Sequence, residues 1–126
     1  MVDPGGRARV FRVHFDEPSF AEDLAAMPAA AAEVARRARE RYATKGVPVA
    51  ELRRCEDEGR DGTRLAGCVK AYLPPPAGRF GMVLRFAVID DQLRLAYLAF
   101  GVRHHPRGSH AQTVYQLAHR RLHGPG

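Results

Sequence analysis

Lysine, cysteine and long apolar runs are scarce in this chain, and acidic residues are missing from its last 35 positions. Two cysteines, Cys55 and Cys68, are too few for a disulfide scaffold, and thirteen positions apart they lack the close spacing of a structural zinc site. They read as reduced thiols filling space in a cytoplasmic protein. No run of eighteen apolar residues is present to span a bilayer, and residues 1–7 contain no apolar core of a secretion signal, so no membrane partner is expected. No serine stands in a nucleophile-elbow pattern and no glycine loop has the P-loop form. Internal repeats are absent, which excludes solenoid arrays. Only Lys45 and Lys70 are lysines; the other eighteen basic residues are arginines, whose planar fork suits paired contacts to phosphate at individual positions.

What is there is 126 residues with a formal charge of +6, enough chain for one domain over 1–126 with a core of its own. Residues 1–8 and 124–126 are expected to be flexible ends. The charge is unevenly spread. Residues 1–91 hold 15 Lys or Arg against 14 Asp or Glu, whereas 92–126 hold Arg94, Arg103, Arg107, Arg120 and Arg121, no acid, and five of the six histidines. A region of one sign concentrates a polyanion, and nucleic acid is the commonest such partner.

Val10, Phe11, Val13 and Phe15 mark a first strand. Ser19 followed by Glu22 has the form of a capping box, so a helix is expected over 19–27. Phe20, Leu24, Met27, Ala31, Val34, Ala38 and Tyr42 recur at helical spacing, interrupted by Pro28, which predicts either a second helix over 29–45 or a kink. Gly46 stops it. Three strands follow over 64–73, 79–89 and 93–102, with a tight turn at Asp90-Asp91-Gln92, and Ser109 is placed to cap a last helix. The order strand, helix, helix, three-strand antiparallel meander, helix gives an α+β fold, with the helices expected on one face of an antiparallel sheet.

The stretch from Gly81 through Val88-Ile89-Asp90-Asp91 to Gly101-Val102-Arg103, followed by Val114-Tyr115, Ala118 and Arg121-Leu122, resembles the closing segment of RelE/ParE-like toxins of bacterial toxin–antitoxin pairs. The resemblance implies a small cytoplasmic toxin neutralised by a cognate antitoxin. In the RelE branch it implies an endoribonuclease that cuts messenger RNA on the ribosome by attack of a ribose 2′-hydroxyl on the adjacent phosphate, without metal or other cofactor. Such chemistry needs a proton acceptor, cationic donors for the phosphorane oxygens and an acid for the leaving 5′-oxygen. Carried over by motif, Arg103 is the phosphate-stabilising arginine and Tyr115 the tyrosine of the terminal helix, while Lys70 lies on the strand where the family places basic residues. The family's middle-strand arginine falls on Val83; Arg85, two residues on, or Arg79 stands in its place. A three-residue hairpin loop puts Arg85 and Arg103 on one face and a two-residue loop does not. Residues 104–113 form an insertion carrying His104 and His110, and imidazole suits proton transfer near neutral pH. The expected catalytic set is therefore Arg103, Tyr115, Arg85 and His104, with Lys70, Arg79, Arg107, His110, Arg120 and Arg121 on RNA. The alternatives are a ParE-like toxin that inhibits gyrase without cutting RNA, and an inactive relative that only binds nucleic acid. His119 and His123, at i and i+4, lack an acidic third ligand and make a weak metal pair.

Overall fold

The computed structural model describes residues 9–59, 62–104 and 112–124. The elements run β1 (Val10–Phe11), β2 (Val13–His14), α1 (Glu17–Ala25), α2 (Ala29–Thr44), β3 (Val47–Pro48), a 3-10 turn (Val49–Glu51), β4 (Leu52–Arg54), β5 (Cys68–Tyr72), β6 (Phe80–Ile89), β7 (Gln92–Val102) and α3 (Val114–His123). This is a mixed α+β fold of three helices and a five-stranded sheet in the order β2-β7-β6-β5-β4, beside a two-stranded pair of β1 with β3. No helix among the described residues is long and apolar enough to cross a membrane.

The first strand is split. β1 pairs antiparallel with β3, whereas β2 lies parallel to β7, so the sheet is mixed and not wholly antiparallel. α1 begins at Glu17, two residues before the expected start, because Pro18 is accepted in a first helical turn. The Ser19–Glu22 capping box does not form; Ser19 Oγ instead donates to Asp16 Oδ2 at 3.0 Å. Pro28 caps α2 from outside with φ −58° and ψ 148°, and two separate helices result. Ala31, Ala35, Ala38 and Tyr42 of α2 are buried, and alanine on that face lets the helix lie close to the sheet. Gly46 ends the segment at φ +90°, where a Cβ would stand 3.0 Å from the Phe11 carbonyl oxygen.

The helices occupy both faces of the sheet, against the expectation of one. Met82, Leu84, Leu95, Tyr97 and Phe100 pack with α1 and α2 in one core cluster. Val83, Cys68, Leu98 and Ala99 pack with Val114 and Ala118 of α3 in another. Alternation along β6 and β7 makes this possible, since successive side chains point to opposite faces. The expected strand over 64–73 is shorter because 65–68 forms a turn, with Gly67 at φ +77° and Cys68 N–H bonded to the Leu65 carbonyl at 3.1 Å.

The hairpin decides which face Arg103 occupies. Its loop is two residues: Ile89 pairs with Gln92, and Asp90 and Asp91 take φ 53° and 61°, both left-handed as a type I′ turn requires. By loop length alone Arg85 and Arg103 would face opposite ways. The register shifts, however, between Val83 opposite Ala99 and Leu84 opposite Tyr97. That bulge at Leu98 supplies the extra residue that the loop lacks. Arg85 and Arg103 therefore share the α3 face.

Candidate active site

On the α3 face, β4 and β5 align Arg53 directly opposite Lys70, and Tyr72 follows two residues on, opposite Gly81. Gly81 in turn pairs with Gly101. Two glycines side by side leave a shallow floor, across which the Arg103 stem lies: a Cβ at Gly81 would meet Arg103 Cγ at 3.2 Å and Cδ at 3.4 Å. The Arg103 backbone N–H is held by the Arg79 carbonyl at 2.9 Å. Its guanidinium carbon sits 4.1 Å from the centroid of the Tyr72 ring, within cation–π range. Arg103 Nε is buried and, among the described residues, has no hydrogen-bond partner.

Tyr115 reaches the same place from the first turn of α3. The cap of that helix is Thr113, not Ser109, which lies outside the described residues. Thr113 N–H donates to Gln116 Oε1 at 2.9 Å and Thr113 Oγ1 accepts from Gln116 N–H at 3.3 Å, a complete capping box. Lys70 Nζ lies 4.9 Å from the Tyr115 ring centroid and 5.8 Å from that of Tyr72. Together with Cys55, Thr63, Glu56 and His104 these side chains enclose a cleft of about 310 Å³. No carboxylate comes within ion-pair distance of Lys70 or Arg103 among the described residues, in contrast to Arg36, Arg41 and Arg54.

Burial pushes the Tyr115 hydroxyl up to about 12, reinforced by Tyr72 and Cys55 and opposed by Arg103. At neutral pH Tyr115 is therefore a neutral phenol, able to donate a proton and not to take one. Burial also raises Cys55 to about 12, with Cys68 adding and Lys70 opposing, and raises Cys68. Both thiols are buried, free and protonated. Among the described residues no three His, Cys, Asp or Glu side chains are grouped to hold a metal ion.

The remaining sequence candidates are dispersed. Arg85 shares the face with Arg103, but Arg103 sits at the level of Arg79, six residues along β6, about 20 Å away at the ~3.3 Å rise of a strand. Arg85 lines a different cavity with His14 and Arg121, so the expected convergence of Arg85 with Arg103 on one phosphate does not occur. Arg79 is exposed and borders, with Arg103 and His104, an adjoining apolar groove. Arg120 is exposed on α3. Arg107 and His110 lie outside the described residues. Arg121 does not project from the basic face: its Nη1 and Nη2 grip Asp23 Oδ2 and Oδ1 at 2.8 and 2.7 Å, and Nη1 also donates to the Leu98 carbonyl at 2.9 Å. Asp23, 4% exposed, further accepts the Tyr97 hydroxyl and, at 3.2 Å, the Phe100 N–H. This pair ties α1 and α3 to the bulged stretch of β7 and so holds α3 in place. His119 Nδ1 accepts the Arg64 N–H at 2.9 Å, and His123 Nε2 lies 2.7 Å from the Arg64 carbonyl. The two histidines clip the loop whose Thr63 and Leu65 wall the cleft.

Tyr72 was legible from alternation with Lys70, two positions away on the same strand. Arg53 was not, because β4 is three residues long and carries no periodicity. Asp23 gave no signal, since one acid within an amphipathic helix reads as solvated.

No family model and no curated protein sequence matches the chain. Among solved structures, an arginine-to-alanine double mutant of the Escherichia coli toxin RelE in the free state is similar to it, at 17% identity and a TM-score of 0.40, over 75% of this chain and 84% of that one.

Proposed function

We propose that the cleft is the active site of a RelE-like toxin that cleaves messenger RNA on the ribosome without a metal and is neutralised in the cytoplasm by a cognate antitoxin. The observation that carries the reading is the convergence of Lys70 and Arg103, without carboxylate partners among the described residues, on the rings of Tyr72 and Tyr115 in one cleft. Two cations facing one cleft are what a phosphorane intermediate calls for.

In the proposed reaction the ribose 2′-oxygen attacks the neighbouring phosphorus and its proton passes to a base. Arg103 and Lys70 take up the charge on the non-bridging oxygens. The bond from phosphorus to the 5′-oxygen breaks, and that oxygen takes a proton, leaving a 2′,3′-cyclic phosphate and a 5′-hydroxyl. His104, at the mouth of the cleft, is assigned the base, because Tyr115 is held neutral and fits the acid. Arg85, at the other end of the face, takes no part.

Primer extension on messenger RNA after induction tests the reading. New 5′ ends that disappear in Arg103→Ala support it; growth arrest without new ends, or cleavage unchanged in that variant, contradicts it. One observation favours a second reading, binding without turnover as in a ParE-like gyrase inhibitor: the middle strand presents Val83, fully buried beneath α3, where the family's further arginine would stand. Gyrase-linked DNA breaks would identify that case.

A further inference from the structure

The cationic row at the cleft extends beyond Lys70 and Arg103. Arg53 on β4 stands directly opposite Lys70, and its guanidinium carbon lies 5.2 Å from the Tyr72 ring centroid. Like charges directly opposite one another on a sheet destabilise it. Among the described residues Arg53 has no carboxylate within ion-pair distance, while its neighbour Arg54, on the other face, pairs with Asp57 at 3.3 Å. Three cations, Arg53 on β4, Lys70 on β5 and Arg103 just past the end of β7, thus surround one tyrosine ring that is 37% exposed. Like charges held this close repel in the free protein, and a polyanion laid across them would offset the repulsion.

We propose that Arg53 forms a second phosphate subsite, holding the phosphodiester of a nucleotide that flanks the one at Lys70 and Arg103, and that Tyr72 is the positioning residue that keeps both guanidinium groups in line. The ligand class is single-stranded nucleic acid, entering over the β4 edge of the sheet. The proposal rests on the functional reading above for the identity of the cleft, yet it concerns binding and does not require cleavage.

The test measures fluorescence anisotropy of a labelled 2′-deoxy dodecamer, which cannot be cut through a 2′-hydroxyl, alongside its ribo counterpart, over a range of salt. One phosphate contact on a single strand contributes about 0.7 to the slope of log affinity against log salt, or about fivefold in affinity near 0.1 M. Arg53→Ala is expected to lose that fivefold and to flatten the slope by about 0.7. Tyr72→Leu is expected to lose at least as much, Tyr72→Phe to stay within about twofold because the ring is kept, and Arg36→Ala, on the outer surface of α2 beside Glu33, to change nothing. A drop in deoxy-strand binding in Arg53→Ala supports the subsite whether or not the ribo strand is cut, which separates its fate from that of the nuclease reading. Affinity and slope unchanged in Arg53→Ala overturn it. So does the absence of salt-dependent binding of either strand, which would leave the row to a protein ligand.

Discussion

Replacing Asp23 with alanine should be among the most damaging single changes available. The carboxylate is buried and accepts from two Arg121 nitrogens, the Tyr97 hydroxyl and the Phe100 amide. Its removal leaves a guanidinium that is only 19% exposed with the Leu98 carbonyl and the more distant Glu22, at 3.9 Å, as its partners, and takes the acceptor from the Tyr97 hydroxyl and the Phe100 N–H. Breaking a buried pair in this way costs about 3–5 kcal/mol, a large part of the ~5–15 kcal/mol that holds a domain together. With a urea m-value of about 2 kcal/mol/M, the midpoint of unfolding should fall by roughly 2 M. The comparison that isolates the mechanism is the double variant Asp23→Leu with Arg121→Met, which removes both charges together. It should recover the part of the loss that comes from the unpaired guanidinium, while the Tyr97 hydroxyl and Phe100 N–H stay without this acceptor. Urea titrations followed by circular dichroism read all of these. A midpoint in Asp23→Ala within about 0.5 M of the parent, or a double variant as unstable as the sum of the two singles, would refute the argument that this pair anchors α3.

Three other outcomes follow from the geometry. Tyr115 has a folded-state pKa raised to about 12 from an ordinary value near 10. The stability this contributes is fully present below about pH 10 and is lost as pH rises through 12; absorbance of the phenolate should show one late-titrating tyrosine fewer in Tyr115→Phe, and loss of a phenol titrating near pH 10 instead would contradict the burial argument. Gly81→Val should push the Arg103 stem off the floor of the cleft, since even a Cβ there comes within 3.2 Å of it. Cleavage or strand binding is expected to fall about tenfold with little change in the melting curve, and parental binding would show that the stem moves aside freely. Asp91→Gly should stabilise the protein by about 0.5–1 kcal/mol by relieving a left-handed backbone at φ 61°, a rise in midpoint that an equal or lower value would contradict.

The sequence carried the long elements and failed on the short ones, for physical reasons. α2 announced itself through a stripe from Ala31 to Tyr42, and β6 and β7 through alternation, because each buries enough side chains to impose a period. β3 and β4 are two and three residues long and bury too few to do so, and with β4 went Arg53. Ser19 and Glu22 had the right spacing for a cap, but Asp16 and Pro18 moved the helix start two residues earlier. The two-residue hairpin loop would by itself separate Arg85 from Arg103, and the bulge at Leu98, which no local sequence feature marks, brings them to one face. Lys70, Arg103, Tyr115 and His104 meet at one cleft as a group. Arg121 carries charge in the acid-free segment but is held by an acid 98 positions away, a pairing that only the tertiary structure reveals.

The central claim, that the Lys70–Arg103–Tyr115 cleft cuts RNA through its own 2′-hydroxyl, is tested most directly by the chemistry of the ends. The protein is added to a translation reaction carrying a defined message, and the fragments are treated so as to distinguish 5′-hydroxyl from 5′-phosphate termini. The expected result is fragments with 5′-hydroxyl and 2′,3′-cyclic phosphate ends, absent with Arg103→Ala. An intact message, or fragments bearing 5′-phosphates that persist in that variant, would contradict the account.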